Sequence, residues 1–156
     1  MTHDEIIQFA AALPGVTVET ASEASGAPQV AWGDSFIYYD TEPGLPPDRR
    51  FPFATIVIND YPGWDDFSNL SREGVFRLNV NVGRERFQSL MGYPPAEFAE
   101  HQADPDYTAL DTLVPHPTYG QQAWISIVCP GSRTSDLARS LITEGRDRQA
   151  RHTKKS

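Results

Sequence analysis

The sequence predicts a single α+β domain, an antiparallel sheet flanked by an N-terminal and a C-terminal helix, and three observations carry that prediction. Helical apolar spacing stands at both ends, in "THDEIIQFAAALPG" and "PGSRTSDLARSLITEGRDRQARH". Short alternating stretches such as "VTVET" and "VFRLNVNV" lie between them, separated by turn-rich connections. Strands do not alternate one by one with long helices, as a parallel βαβ sheet requires.

In chain order, Thr2 stands where a helix cap belongs, with acids in the first turn and Ile6, Phe9, Ala10 and Leu13 at helical spacing. Pro14 and Gly15 stop that helix. "VTVET" alternates as a strand, and the small residues of "ASEASGAPQ" lead into "VAWGDSFIYYD". Here Gly33-Asp34 reads either as a tight turn between two short strands, the favoured reading, or as a bulge within one strand. The two readings reverse the faces of Trp32, Phe36 and Tyr38. "TEPGLPPDRRFP", with four prolines in twelve residues, is a loop before the strand "FATIVIND". After the turn-rich "YPGWDDFSNLSREG", alternation in "VFRLNVNV" puts Val75, Arg77, Asn79 and Asn81 on one face and Phe76, Leu78, Val80 and Val82 on the other, as in a half-buried strand with a polar outer face. "GRERFQSLMG" closes on Gly92 and "PPAEFAEH" starts with proline, so a helical insertion is expected around residues 83 to 102. "QQAWISIVC" is the last strand, and the final helix presents Leu137, Leu141 and Ile142 with Thr134 or Ser135 as cap.

The 156 residues make one ordinary domain, and 39% apolar content with eight Phe, six Tyr and three Trp supplies its core. No apolar run is long enough for a membrane span, and the acidic start fits no signal peptide, so a cytoplasmic protein is expected. Cys129 is the only cysteine, which excludes an intrachain disulfide and a multi-cysteine zinc site; it reads as a small buried apolar group rather than a nucleophile. Residues 146 to 156 hold five of the thirteen basic residues against one acid, a basic tail expected to be solvated and frayed. The body, 1 to 145, then carries eight basic and twenty acidic residues, a net −12 that repels nucleic-acid phosphates. Both lysines, Lys154 and Lys155, lie in the tail, which excludes Schiff-base chemistry on a buried lysine of the body.

No glycine-rich phosphate loop and no nucleophile elbow occurs, and the histidines at 3, 101, 116 and 152 stand too far apart for a local metal motif. Neither a metal nor a nucleotide cofactor is expected. His116, held between two prolines, is the candidate general acid or base, with Tyr119 beside it and Trp124 lining the same pocket. The plainer alternative is a rigid approach to a strand, with His116 exposed or bonded to backbone. Arg77, Asn79 and Asn81 form a strip able to bind a carboxylate or amide, or else a solvated sheet face. Arg84 and Arg86 open a helix, where the dipole disfavours cations, so the Gly83-Arg84 corner is a candidate anion site with Glu85 or Asp34 as the structural alternative. Asp34 is otherwise a turn residue. Tyr38 and Tyr39 cannot both point inward on a strand, which leaves an aromatic face near Trp32 and Tyr38 open to a ligand or interface.

The phrases "LPGV", "ASEASGAPQVAWGDSFIYYD", "RRFPFATIVINDYPG", "GVFRLNVNVGRERFQSLMGYPP" and "LVPHPTYGQQAWISIVCPG" resemble a bacterial family catalogued as a domain of unknown function, number 6194, over nearly the whole chain to about Gly145. More distantly, "LPG", "WGDSF", "AWISIV" and the last helix resemble the MmcQ/YjbR-like group. That likeness implies a compact domain similar to the frataxin-like fold, and DNA binding through sheet and loops. Asp34 stands where a lysine is common in that group, and the acidic body opposes DNA. Three functions are therefore carried forward: a cytoplasmic accessory or small-ligand-binding domain for an anionic or aromatic molecule, a cofactor-independent enzyme using His116 with Arg77 or Arg84 holding an anionic substrate, and weak DNA binding through the basic tail.

Overall fold

Local apolar patterns become the two layers of the structure, a computed structural model that describes residues 1–40 and 50–154. Helix α1 (His3–Ala11) begins at Thr2, whose hydroxyl accepts from the Glu5 backbone while the Glu5 carboxylate accepts from the Thr2 backbone. This reciprocal cap satisfies two otherwise orphaned donors. Strands β1 (Val16–Thr20), β2 (Ser35–Tyr39), β3 (Ala54–Val57) and β4 (Arg77–Asn81) follow, then α2 (Arg84–Met91), α3 (Phe98–His101), β5 (Leu113–Pro115), β6 (Trp124–Val128) and α4 (Ser135–Lys154). The sheet order is β1-β2-β3-β4-β6-β5, with every neighbouring pair antiparallel.

Strand alternation assigns each side chain to a face. Ile37, Ile56, Leu78, Val80, Ile125 and Ile127 point to one side and are fully buried under Ile6 and Ala10 of α1 and Ala138, Leu141 and Ile142 of α4. Each such large apolar side chain is worth about 1.5–3 kcal/mol on burial. Both terminal helices thus cover the same face. The opposite face carries Phe36, Thr55, Val57, Arg77, Asn79, Trp124 and Ser126 and is roofed by the loops rather than by helices.

Four expectations are corrected by this arrangement. The polar strip of β4 is not solvated, because Arg77 and Asn79 are each 1% exposed. No hairpin forms at Gly33-Asp34: residues Gln29–Ala31 make a short 3₁₀ turn, and β2 pairs back onto β1 across the whole intervening loop. Asp34 is fully buried rather than at a turn tip. The basic tail continues α4 to Lys154, with Arg146 donating to the Pro14 carbonyl and Arg148 to Asn81, so the expected boundary at 145 falls inside the helix. The proline-rich loop before β3 lies, for residues 41–49, outside the described residues.

Candidate functional site

Alternation along β4 sends Arg77 and Asn79 to the loop-covered face, opposite Val57 and Thr55 of β3 and Val128 and Ser126 of β6. The segment between β3 and β4 folds across them, with Tyr61 and Asp65 paired through their backbones. Asp65 receives Arg77 in a forked pair, Nη1 to Oδ1 at 3.0 Å and Nη2 to Oδ2 at 2.5 Å. Ser68 Oγ accepts a second Nη1 hydrogen at 2.9 Å, and Asn79 Oδ1 accepts from Nε at 2.8 Å. Asn79 also accepts from Ser126 and donates to Thr55, which fixes its amide. Four of the five guanidinium N–H groups are therefore occupied, and the charge is neutralised by Asp65.

His116 follows the last residue of β5 and is 3% exposed. Its Nδ1 accepts from the backbone N–H groups of Thr118 and Tyr119, both at 3.0 Å. Two donors at one ring nitrogen place the proton of the neutral imidazole on Nε2. Nε2 lies 3.4 Å from Arg77 Nη2 and 3.9 Å from Asp65 Oδ2. Burial, and then the positive charge of Arg77, hold the imidazole well below its ordinary protonation range. His116 is thus neutral at pH 7, with a filled Nδ1 and a donor at Nε2.

These groups floor one side of a hollow of about 650 Å³. Phe36, Val57 and Trp124 rise from the sheet, while Phe51, Tyr61, Trp64 and Tyr119 come from the loops. Trp64 and Tyr119 meet edge to face at 6.3 Å, and Tyr119 lies 4.9 Å from the His116 ring. Phe51 is 74% and Trp64 59% exposed, so the rim is aromatic and open to solvent. Behind the wall, the Tyr61 hydroxyl donates to Asp34 Oδ2 at 2.6 Å, and Asp34 Oδ1 accepts from Ile58 and Asn59. Burial raises the Asp34 carboxyl, against the pull of those donors, and burial with the Asp34 bond raises the Tyr61 phenol.

Of the residues singled out in the sequence, His116, Tyr119, Arg77, Asn79 and Trp124 converge on this hollow. The others do not line it. Trp32 donates its indole N–H to the Ala27 carbonyl, and Tyr38 lies under Arg50 on a neighbouring hollow of the same sheet face. Asn81 accepts from Gly83 and Arg148, and Arg84 lines a separate cavity at the start of α2. Asp34 acts only through Tyr61. Asp65, Ser68 and Ser126 were not singled out in the sequence, although a buried arginine demands a carboxylate and "WDDF" holds two. On the helical insertion, Glu97, Glu100 and His101 bring ligand atoms within 4.8 Å of one another, but both glutamates are open to solvent. His101 stacks on Tyr93 and contacts Asp104 at 3.4 Å.

Fold and site together define an α+β domain with one helix-covered sheet face and one aromatic-rimmed hollow over a buried ionic network. The chain belongs to the family of unknown function DUF6194, whose family model matches residues 1–156. No curated protein and no solved structure matches it. Among the described residues, no helix is long and apolar enough to cross a membrane.

Proposed function

We propose that the protein is a cytoplasmic small-ligand-binding domain whose ligand is a compact, planar, uncharged molecule held in the hollow beside His116. The observation that carries this reading is the pairing of aromatic walls with a polar floor whose charges already cancel. Its volume suits a small organic molecule, and ligand sites of this kind combine apolar walls with a few fixed polar groups. Arg77 has given its forked face to Asp65, so it does not offer an anion the two parallel donors a carboxylate needs. That favours the aromatic over the anionic ligand class. The ligand's flat body lies against the aromatic wall that Trp64 and Tyr119 form together, while its polar edge accepts from His116 Nε2–H and meets Gln122.

The same geometry supports binding over catalysis. A histidine acting as base needs an unprotonated nitrogen facing substrate, and one acting as acid needs to be an imidazolium. Here the lone pair is engaged by Thr118 and Tyr119 and the cationic form is suppressed. DNA binding through the tail is less favoured, because Arg146 and Arg148 contact the protein itself. The MmcQ/YjbR-like kinship remains part of this proposal, supported by the helix, antiparallel sheet and helix in that order.

The test is a thermal-shift series with neutral heteroaromatic fragments and their carboxylated analogues, on wild type, Trp64→Ala and Tyr119→Ala. Both substitutions fall on the exposed rim, so folding should survive them. The neutral fragments should raise the melting temperature of wild type by mass action, the carboxylates less, and both variants should lose the effect. Equal shifts in Trp64→Ala and wild type would remove the hollow from consideration.

A further inference from the structure

A second cavity, of about 680 Å³, lies where the start of α2 meets the last turns of α4. Its chemistry is the reverse of the hollow's. Arg84 and Arg86 come from α2, and Arg148 and Arg151 from α4. Arg86 is paired with Glu144 at 3.1 Å, and the third carboxylate of the lining besides Glu85, Asp147, is paired with Arg146 at 3.1 Å. Arg84, Arg148 and Arg151 have no carboxylate partner among the described residues, in a chain whose net charge is −8. The lining therefore holds four guanidiniums against three carboxylates, Glu85, Glu144 and Asp147, and the carboxylates that are paired are held by Arg86 and Arg146 rather than by Arg84, Arg148 or Arg151.

The backbone is shaped around them. Gly83 caps α2 with φ +82°, and no side chain caps the helix, leaving its first-turn N–H groups without a side-chain acceptor. A Cβ at Gly83 would come within 2.9 Å of Arg148 Nε, so glycine is what lets this guanidinium lie across the helix start. Asn81 Oδ1 accepts from both Gly83 N–H and Arg148 Nη1, at 3.2 and 3.1 Å, and so ties the arginine to the cap. Burial first, and then the like charge of the neighbouring Arg151, press Arg148 below its ordinary value, and a bound anion offsets the repulsion between the two arginines.

We propose that this cavity binds a phosphomonoester, its phosphate received by Arg84, Arg148 and Arg151 at the uncapped N-terminus of α2. A phosphate presents several acceptor oxygens and a charge near −2, which matches several guanidiniums and backbone donors better than a monoanionic carboxylate does. The volume exceeds what the phosphate needs and leaves room for the esterified group. The acidic body disfavours an extended polyanion as occupant. This site is independent of the hollow beside His116.

Calorimetric titration of the full chain with inorganic phosphate, at constant ionic strength, tests the assignment. Saturable one-to-one binding is expected, weakened at least about tenfold in Arg84→Gln and in Arg151→Gln. Both arginines are exposed, so the melting temperature should not move. Arg139→Gln, elsewhere on α4 and paired with Asp136, should bind as wild type does. No saturation in wild type, undiminished binding in both cavity variants, or an equal loss in Arg139→Gln overturns the proposal. A short DNA duplex that displaces phosphate at lower concentration than a simple phosphomonoester would also overturn it, in favour of a nucleic-acid backbone.

Discussion

Burying a guanidinium costs several kcal/mol unless its charge and its N–H groups find partners, and Arg77 is among the most deeply buried large side chains of this protein. Its pair with Asp65 ties the loop between β3 and β4 to the sheet, and that loop supplies Tyr61 and Trp64 to the hollow. Arg77→Met should therefore cost about 3–5 kcal/mol, because it strands the Asp65 carboxylate, and Asp65→Leu should cost a similar amount. The double variant removes both charges and should be markedly more stable than the sum of the single losses implies, as read by urea denaturation. Strict additivity would mean that the two groups do not act as a pair. Half of this arrangement was legible in the sequence. Alternation alone places Arg77 and Asn79 on one face, but the partner lies twelve residues away across a loop whose path depends on tertiary contacts. The same limit applies to His116: its prolines announce a rigid backbone, yet nothing local says that Thr118 and Tyr119 fill its Nδ1.

At the scale of elements, the helices and most strands follow from patterns spanning a few residues, which is why α1, β1, β4, α2 and β6 stand where the sequence places them. The hairpin at Gly33 failed for a reason of the same kind. The backbone of Gly33 bonds back to Ala21 and the Trp32 indole bonds to Ala27, so the loop closes on itself before β2 begins. The position of β5 outside β6 was not legible, because a three-residue strand carries too little pattern. α4 contains a further feature that propensity alone misreads. Gly145 sits in mid-helix, where alanine is ordinarily better by about 1 kcal/mol. A Cβ there would come 2.9 Å from Cδ2 of the fully buried Phe53, so the helix can lie close to β3 only with glycine at this point. Overpacking a filled core costs about 1–3 kcal/mol. Gly145→Ala should accordingly destabilise the protein by up to about 2 kcal/mol, while Ser140→Ala on the exposed side of the same helix should not. A gain at Gly145 in denaturant titration would show that Phe53 can move aside.

For the molecule as a whole, three of the groups whose titration the fold shifts act on acid stability in different windows. Asp111 accepts from Gly131, Arg133 and Thr134 ahead of α4, and the Thr134 hydroxyl bond with those backbone donors lowers its carboxyl to about 2. Its contribution is present above the ordinary carboxylate value and is lost only as pH falls from there toward 2. Asp34 has the opposite sign, since burial raises its carboxyl and the folded chain takes up that proton first. His116 acts at the highest pH. Its folded value lies well below 6.5, so beneath pH 6.5 the unfolded chain binds a proton that the native imidazole refuses. Stability attributable to His116 is full above that pH and should fall on acidification, with a slope of at most about 1.4 kcal/mol per pH unit for one proton. His116→Asn keeps an acceptor, because the amide oxygen can take the Thr118 and Tyr119 N–H groups, but it cannot titrate in this range. Urea denaturation between pH 7.5 and 5.5 should therefore show a decline in wild type that is reduced in His116→Asn. His116→Leu should instead be weaker at every pH, by about 1–3 kcal/mol, because it leaves two buried donors unpaired. If wild type and His116→Asn decline in parallel, the acid response belongs to groups outside the hollow, and the neutral, doubly bonded imidazole is not what holds it together.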